Sequence, residues 1–275
     1  MTLDRPLRIA TGAYYWKPGM AWFRALELDT YRATGAVLSG PILDLGCGDG
    51  RVAGMLRELG VVRGQVFGID PSSRQLAEAD RVGAHEGIAR ADGGRLPFPD
   101  ATFAAVFCNG SLTSIPDGPD DALREVCRVL VPGGMFLATF PTDRFLEVLL
   151  VPRLLAFWPD ARQVYERRMS LRQPHFTADS PADWTQRFAA AGLEIERSIR
   201  FFSSRAGEIW NLLSMHLFRF VGALRLLPGA RGPGTTALAR ALEGAYEAER
   251  SREGEGYILV VARRAEGPRR SEGIG

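Results

Sequence analysis

The run Ile42-Leu43-Asp44-Leu45-Gly46-Cys47-Gly48-Asp49-Gly50 carries a short apolar stretch into three glycines at every second position. Gly46 and Gly48 let a ligand approach the backbone closely, and a helix starting beyond them would offer free N–H groups to an anion such as a carboxylate. A dinucleotide fingerprint needs its third glycine at position 51, where the chain has Arg51, so a nicotinamide reading loses ground. Asp44 suits a cationic ligand better than a pyrophosphate, because like charges repel in a partly dry site. Asp70 closes a second apolar run, where a carboxylate can accept both hydroxyls of a ribose. Asp92 closes a third. An ionised carboxylate only accepts hydrogen bonds, so Asp92 suits an exocyclic amine such as that of adenine.

Such residues need elements that bring strand ends together. Pro41–Leu45, Gln65–Asp70, Gly87–Asp92, Thr102–Cys108 and Gly134–Phe140 are short apolar runs closed by turn or polar residues, and they read as strands. Between them lie helical patterns at Val52–Leu59, Ser73–Arg81 and Asp120–Leu130, the last with Leu123, Val126, Val129 and Leu130 at spacings of three and four. Repeated β-α-β alternation predicts an α/β fold with a doubly wound parallel sheet and a ligand outside the carboxyl ends of its strands. A helix over Pro181–Gly192, a strand over Leu193–Phe202 and a last strand over Tyr257–Ala262 complete the pattern.

The expected organisation is an N-terminal helical arm over 1–39, a main domain over 40–263 with helical insertions at 143–180 and 204–252, and a flexible tail over 264–275. In the second insertion Ile209, Leu213, Leu217, Phe220, Leu224 and Leu227 would form one apolar stripe, which could fold over the strand ends as a cap, pack or dimerise in the ordinary way, or dock on a membrane.

Composition sets the class. The 275 residues are 46% hydrophobic and 24% charged, near globular averages, which excludes a mainly disordered or low-complexity chain. The longest apolar runs are broken by Pro152, Arg153, His216, Arg219 and Arg225, so no transmembrane span is expected, although a peripheral membrane contact or a homodimer stays compatible. No secretory signal is visible at the start, and three cysteines without a Cys-x-x-Cys pair fit a reducing compartment, so a cytoplasmic location is expected. The net charge of +2 comes from arginines scattered along the chain rather than gathered in one basic block, and no nucleic-acid partner is expected. No metal-ligand pattern or Gly-x-Ser-x-Gly occurs, so no metal site and no serine hydrolase is predicted.

Taken together, the motifs resemble the class I S-adenosylmethionine-dependent methyltransferases, particularly their small-molecule branch. The resemblance rests on Leu43-Asp-Leu-Gly-Cys-Gly-Asp-Gly50, Gly68-Ile-Asp-Pro-Ser72, Ala91-Asp-Gly93, Leu96-Pro-Phe-Pro-Asp100 and Leu123-Arg-Glu-Val-Cys-Arg-Val-Leu-Val-Pro-Gly-Gly134. It implies a seven-stranded sheet with an antiparallel last strand, S-adenosyl-L-methionine as cofactor, and methyl transfer to a small molecule; the apolar insertions suggest a hydrophobic or amphipathic acceptor. It further implies that Gly46, Cys47 and Gly48 line the methionine portion, Asp44 helps hold its ammonium, Asp70 takes the ribose, and Asp92 and Gly93 meet the base. Asn109 would fall beside the sulfonium region. A histidine common before Ile115-Pro-Asp is replaced by Ser114, so the candidate general base is His175 instead, since imidazole titrates near neutrality. His85 and His216 are expected to be structural, and Tyr14, Tyr15 and Trp16 could stack on a substrate or pack internally. The competing readings are a cofactor-binding module without turnover and a different reaction on the same cofactor.

Overall fold

A computed structural model describes residues 3–115, 118–170, 179–214 and 233–266. Seven strands form one sheet: β1 (Pro41–Leu45), β2 (Gln65–Asp70), β3 (Gly87–Arg90), β4 (Phe103–Asn109), β5 (Leu130–Pro141), β6 (Leu193–Phe201) and β7 (Tyr257–Arg264). Their spatial order is β3-β2-β1-β4-β5-β7-β6, and β7 runs antiparallel to both neighbours while β1 to β5 pair in parallel. The strand order turns back at β1, so the carboxyl ends of β1, β2 and β4 open a crevice there.

The strands form because apolar residues fill both faces. Ile42, Phe107 and Leu137 enter one core cluster, whereas their neighbours Leu43, Val106 and Ala138 enter the other, as a side-chain period of two requires. The first face is covered by α1 (Arg5–Tyr14), α2 (Pro18–Thr34), α3 (Arg51–Leu59), α10 (Ser204–Ser214) and α11 (Pro233–Glu249). The second is covered by α5 (Pro119–Val129) and α9 (Pro181–Ala190). Between β2 and β3 lies α4 (Ser73–Val82), and after β5 come α6 (Phe145–Val148), α7 (Leu150–Leu154) and α8 (Pro159–Ser170).

Strands expected to start at Gly134 and stop at Ala262 are longer than that. β5 begins at Leu130 and runs through Pro132-Gly133-Gly134, with the pairing to β4 slipping between Phe103 and Ala105. The proline and glycines that signal a turn here make a bulge instead.

The arm is integral to the first face. Trp22, fully buried on α2, donates its indole N–H to the Ala206 carbonyl at 3.0 Å, and Asp4 accepts from Tyr246 at 3.1 Å and Arg250 at 2.6 Å. The described part of the second insertion therefore packs on the N-terminal helices. Ile209 and Leu213 lie against the core there; Leu217, Phe220, Leu224 and Leu227 lie outside the described residues. Besides α2, α10 touches α6 and α7.

One close approach fixes α10 against α6. A Cβ on Gly207 would stand 2.2 Å from the Val148 carbonyl oxygen, so Gly207→Ala is expected to cost about 1–3 kcal/mol of stability as the helices are forced apart. Urea unfolding measures this; an unchanged midpoint would show that the contact gives way freely.

Candidate active site

The glycine loop leaves β1 under several restraints. Cys47 N–H donates to the Ile69 carbonyl at 2.8 Å, Gly48 N–H to Asp70 Oδ2 at 3.0 Å, and Ser111 Oγ to the Gly46 carbonyl at 3.0 Å. Gly46 has φ +73°, and a Cβ there would stand 2.4 Å from that of Ser111, so only glycine serves at this turn. The second oxygen of Asp70, Oδ1, accepts from Ser72 N–H at 2.8 Å, tying β2 to the start of α4.

Beside this loop a cavity of about 170 Å³ is lined by Leu45, Gly46, Ile69, Asp70, Asp92, Gly93 and Ile115, with Ser111 and Ser114 at its edge. A Cβ on Gly93 would lie 2.7 Å from Ile115, so a side chain at 93 would intrude on the cavity wall. Asp92 Oδ1 accepts from Gly94 N–H at 2.9 Å, which leaves its other oxygen for a ligand. Apolar walls between two carboxylates, over exposed backbone, fit a flat heterocycle joined to a hydroxylated ring. Gly46, Asp70, Asp92 and Gly93 are thus brought together as their spacing suggested.

Other expected residues sit elsewhere. Asp44 is 2% exposed and does not line the cavity; its Oδ2 meets His85 Nε2 at 2.9 Å below the loop. Burial holds the Asp44 carboxyl above its ordinary range, against the lowering effect of His85. Asp44 thus meets the imidazole in the layer under the loop and is absent from the cavity lining. Cys47 is buried, and burial together with Asp44 and Asp70 pushes its thiol up, which makes a thiolate role untenable. Gly48 is engaged with Asp70, and His175 lies outside the described residues.

Asn109 ends β4 beside the N-terminal helices. Its amide is consumed in a buried polar network: Oδ1 accepts from Arg24, while Nδ2 donates to Tyr31 Oη at 3.3 Å and Thr139 Oγ1 at 3.1 Å. Thr139 Oγ1 donates to Glu27 Oε1 at 3.0 Å, and Glu27, 1% exposed, is paired with Arg24 one turn earlier. Burial works against the Arg24 charge, but Glu27 and the nearby phenols of Tyr14 and Tyr257 more than offset it, so the guanidinium is held firmly protonated. Burial, then the Glu27 charge, raises the Tyr31 phenol. This network seals the carboxyl ends of β4 and β5 against α2. Its members Arg24, Glu27 and Tyr31 were not singled out from the sequence, although two opposite charges three apart amid Trp22, Phe23, Leu26 and Leu28 were the available signal.

Tyr14 is buried, and Trp16 lies edge-on to Tyr15 with ring centroids 5.0 Å apart and against the Arg51 guanidinium at 4.9 Å. The aromatic group thus packs onto the start of α3. Among the described residues no cluster of three or more His, Cys, Asp or Glu side chains could hold a metal ion, and no helix is long and apolar enough to cross a membrane.

Residues 43–138, from β1 into β5, match the family model of a methyltransferase domain. This segment is similar to a methyltransferase domain, set on the sheet described above. Its sequence is 32% identical over 127 residues to the malonyl-(acyl-carrier protein) O-methyltransferase of Enterobacter lignolyticus, covering 46% of this chain and 49% of that one. It is 38% identical over 102 residues to the 2-phytyl-1,4-naphtoquinone methyltransferase of Synechococcus elongatus, covering 34% and 42%. The chain spans about half or less of the length of these curated relatives. Among solved structures, the cyclase SpnF superposes with a TM-score of 0.54 at 25% identity, covering 89% of this chain and 83% of that chain. The glycine loop and β2 to β4 lie within the matched segment, β1 and β5 run across its ends, and β6 and β7 follow it.

Proposed function

We propose that the protein transfers a methyl group from S-adenosyl-L-methionine to a small, hydrophobic or amphipathic acceptor in the cytoplasm. The observation that carries this reading is the cavity between Asp70 and Asp92 beside the glycine loop. On this reading 40–263 is the catalytic domain with insertions at 143–180 and 204–252, and 1–39 is an arm that closes it. The naphthoquinone relative named above supports an apolar acceptor.

The cofactor, when bound, supplies a methyl already activated for displacement. Asp70 would accept from the ribose hydroxyls, releasing Gly48 N–H for the methionine portion. Asp92 would accept from the exocyclic amine, and Gly93 would leave room for the base. Leu45, Ile69 and Ile115 would exclude water from its faces. The buried charge of Asp44 would act from beneath the loop, favouring a cationic ligand above it through low-dielectric surroundings. Holding acceptor, methyl and sulfur in line supplies much of the rate without a dedicated base. His175 stays the candidate base for an acceptor that needs one, and unchanged turnover in His175→Ala would remove it.

Two measurements test the reading. Calorimetry should show S-adenosylhomocysteine binding and no NADH binding. Methyl-labelled S-adenosylmethionine, incubated with the protein and an organic extract of the source cells, should pass label into an extractable small molecule. Binding without transfer to any extract fraction would favour a module without turnover, and no binding at all would sink the proposal.

A further inference from the structure

His85 lies in the connection between α4 and β3, far from any acceptor side of the cleft, yet its ring reaches the underside of the glycine loop. The side chain is 1% exposed. A Cβ built on Gly68 would stand 2.9 Å from His85 Cδ2 and 3.0 Å from Cys47 Sγ, and one on Gly50 would stand 3.3 Å from His85 Cε1. The imidazole is therefore wedged between β2, the centre of the loop and the residue where the loop hands over to α3.

Its two nitrogens are treated differently. Nε2 stands 2.9 Å from Asp44 Oδ2, whereas Nδ1 is buried without a hydrogen-bond partner among the described residues. An imidazolium would bury an unpaired Nδ1–H, which is costly, while a neutral ring protonated on Nε2 leaves only a lone pair unused. The arrangement therefore favours the neutral Nε2–H form donating to an ionised Asp44. Filling the same space needs no histidine, and an aliphatic side chain would pack there. What the aliphatic side chain lacks is the proton that holds Asp44, two residues before Gly46, to the support of Gly50 and Cys47.

We propose that His85 is a positioning residue for cofactor binding: as a neutral ring it fastens Asp44 and props Cys47 and Gly50 from below, setting the backbone of Gly46 to Gly48 at the height that the amino-acid portion of the cofactor requires. The inference rests on the reading of this loop as an S-adenosyl site. It assigns to a residue outside the matched motifs a share in discriminating the full cofactor from its nucleoside half.

The test compares S-adenosylhomocysteine with 5′-methylthioadenosine, which has the nucleoside and lacks the amino-acid end. In His85→Leu, affinity for S-adenosylhomocysteine should fall tenfold or more while that for methylthioadenosine changes less than threefold. His85→Gln, which can place an amide N–H near the position of Nε2, should recover most of the loss. Long-range 15N–1H spectra of the unaltered protein should show the Nε2–H tautomer, a readout that does not depend on any variant folding. Equal weakening of both ligands, or a spectrum of imidazolium or of the Nδ1–H form, would overturn the proposal. Unaltered protein that binds neither ligand would overturn the cofactor reading and this inference with it.

Discussion

Glu27→Ala is expected to destabilise the protein by about 3–5 kcal/mol, because it leaves the buried guanidinium of Arg24 without its counter-charge. It also removes the acceptor of the Thr139 hydroxyl, whose own burial is complete. Urea unfolding followed by circular dichroism measures the loss. The paired replacement Arg24→Met with Glu27→Leu should recover part of it, since no unpaired charge is left, while the Thr139 hydroxyl and Asn109 Oδ1 lose their partners. A loss under about 1 kcal/mol in the single variant would mean that Arg24 finds water or another anion when Glu27 is gone. The same variants bear on the site, because Arg24 holds Asn109 at the end of β4.

Asp70→Ala should weaken S-adenosylhomocysteine binding by about 1.5–3 kcal/mol, roughly a 10- to 150-fold rise in Kd, since hydrogen bonds to a charged acceptor are lost. The structure adds a second reason. Asp70 fastens both Gly48 and Ser72, so alanine also loosens the loop and the start of α4. Asp70→Asn keeps the shape and one acceptor, and should fall between the two. Titration calorimetry at one pH and salt concentration measures all three proteins. Unchanged affinity in the alanine variant would remove Asp70 from the binding site.

Much of the sheet was legible because its strands are isolated. Pro41–Leu45 and Gln65–Asp70 are apolar runs bounded by turn residues, and the structure returns them with the same bounds. Leu130 to Pro132 was not legible as strand, because proline and paired glycines signal a turn unless a neighbouring strand can absorb a bulge, and that depends on β4. The site divided along a similar line. Spacing tells which residues reach the carboxyl end of the sheet, and it brought Gly46, Asp70, Asp92 and Gly93 to one cavity. It does not tell whether a side chain at a strand end points into the cleft or beneath it. Asp44 and Asn109 both turned toward partners from distant parts of the chain, His85 and the arm residue Arg24, which no local pattern connects to them. Arg24 and Glu27 read locally as surface charges on an amphipathic helix, and only the placement of α2 over β4 and β5 makes them interior.

The arm's attachments also set an order of events during synthesis. Trp22 bonds to Ala206, 184 residues later, and Asp4 to Arg250, 246 residues later. At about 5–20 residues per second, the first helices leave the ribosome roughly 10–40 s before their partners on α10 exist. Throughout that interval the core that holds Leu7, Trp22, Leu26 and Leu28, all buried in the finished protein, lacks the parts contributed by α10 and α11. The arm is thus among the last elements to find its full set of partners, and nascent chains halted before Ala206 should be the ones that engage chaperones and aggregate.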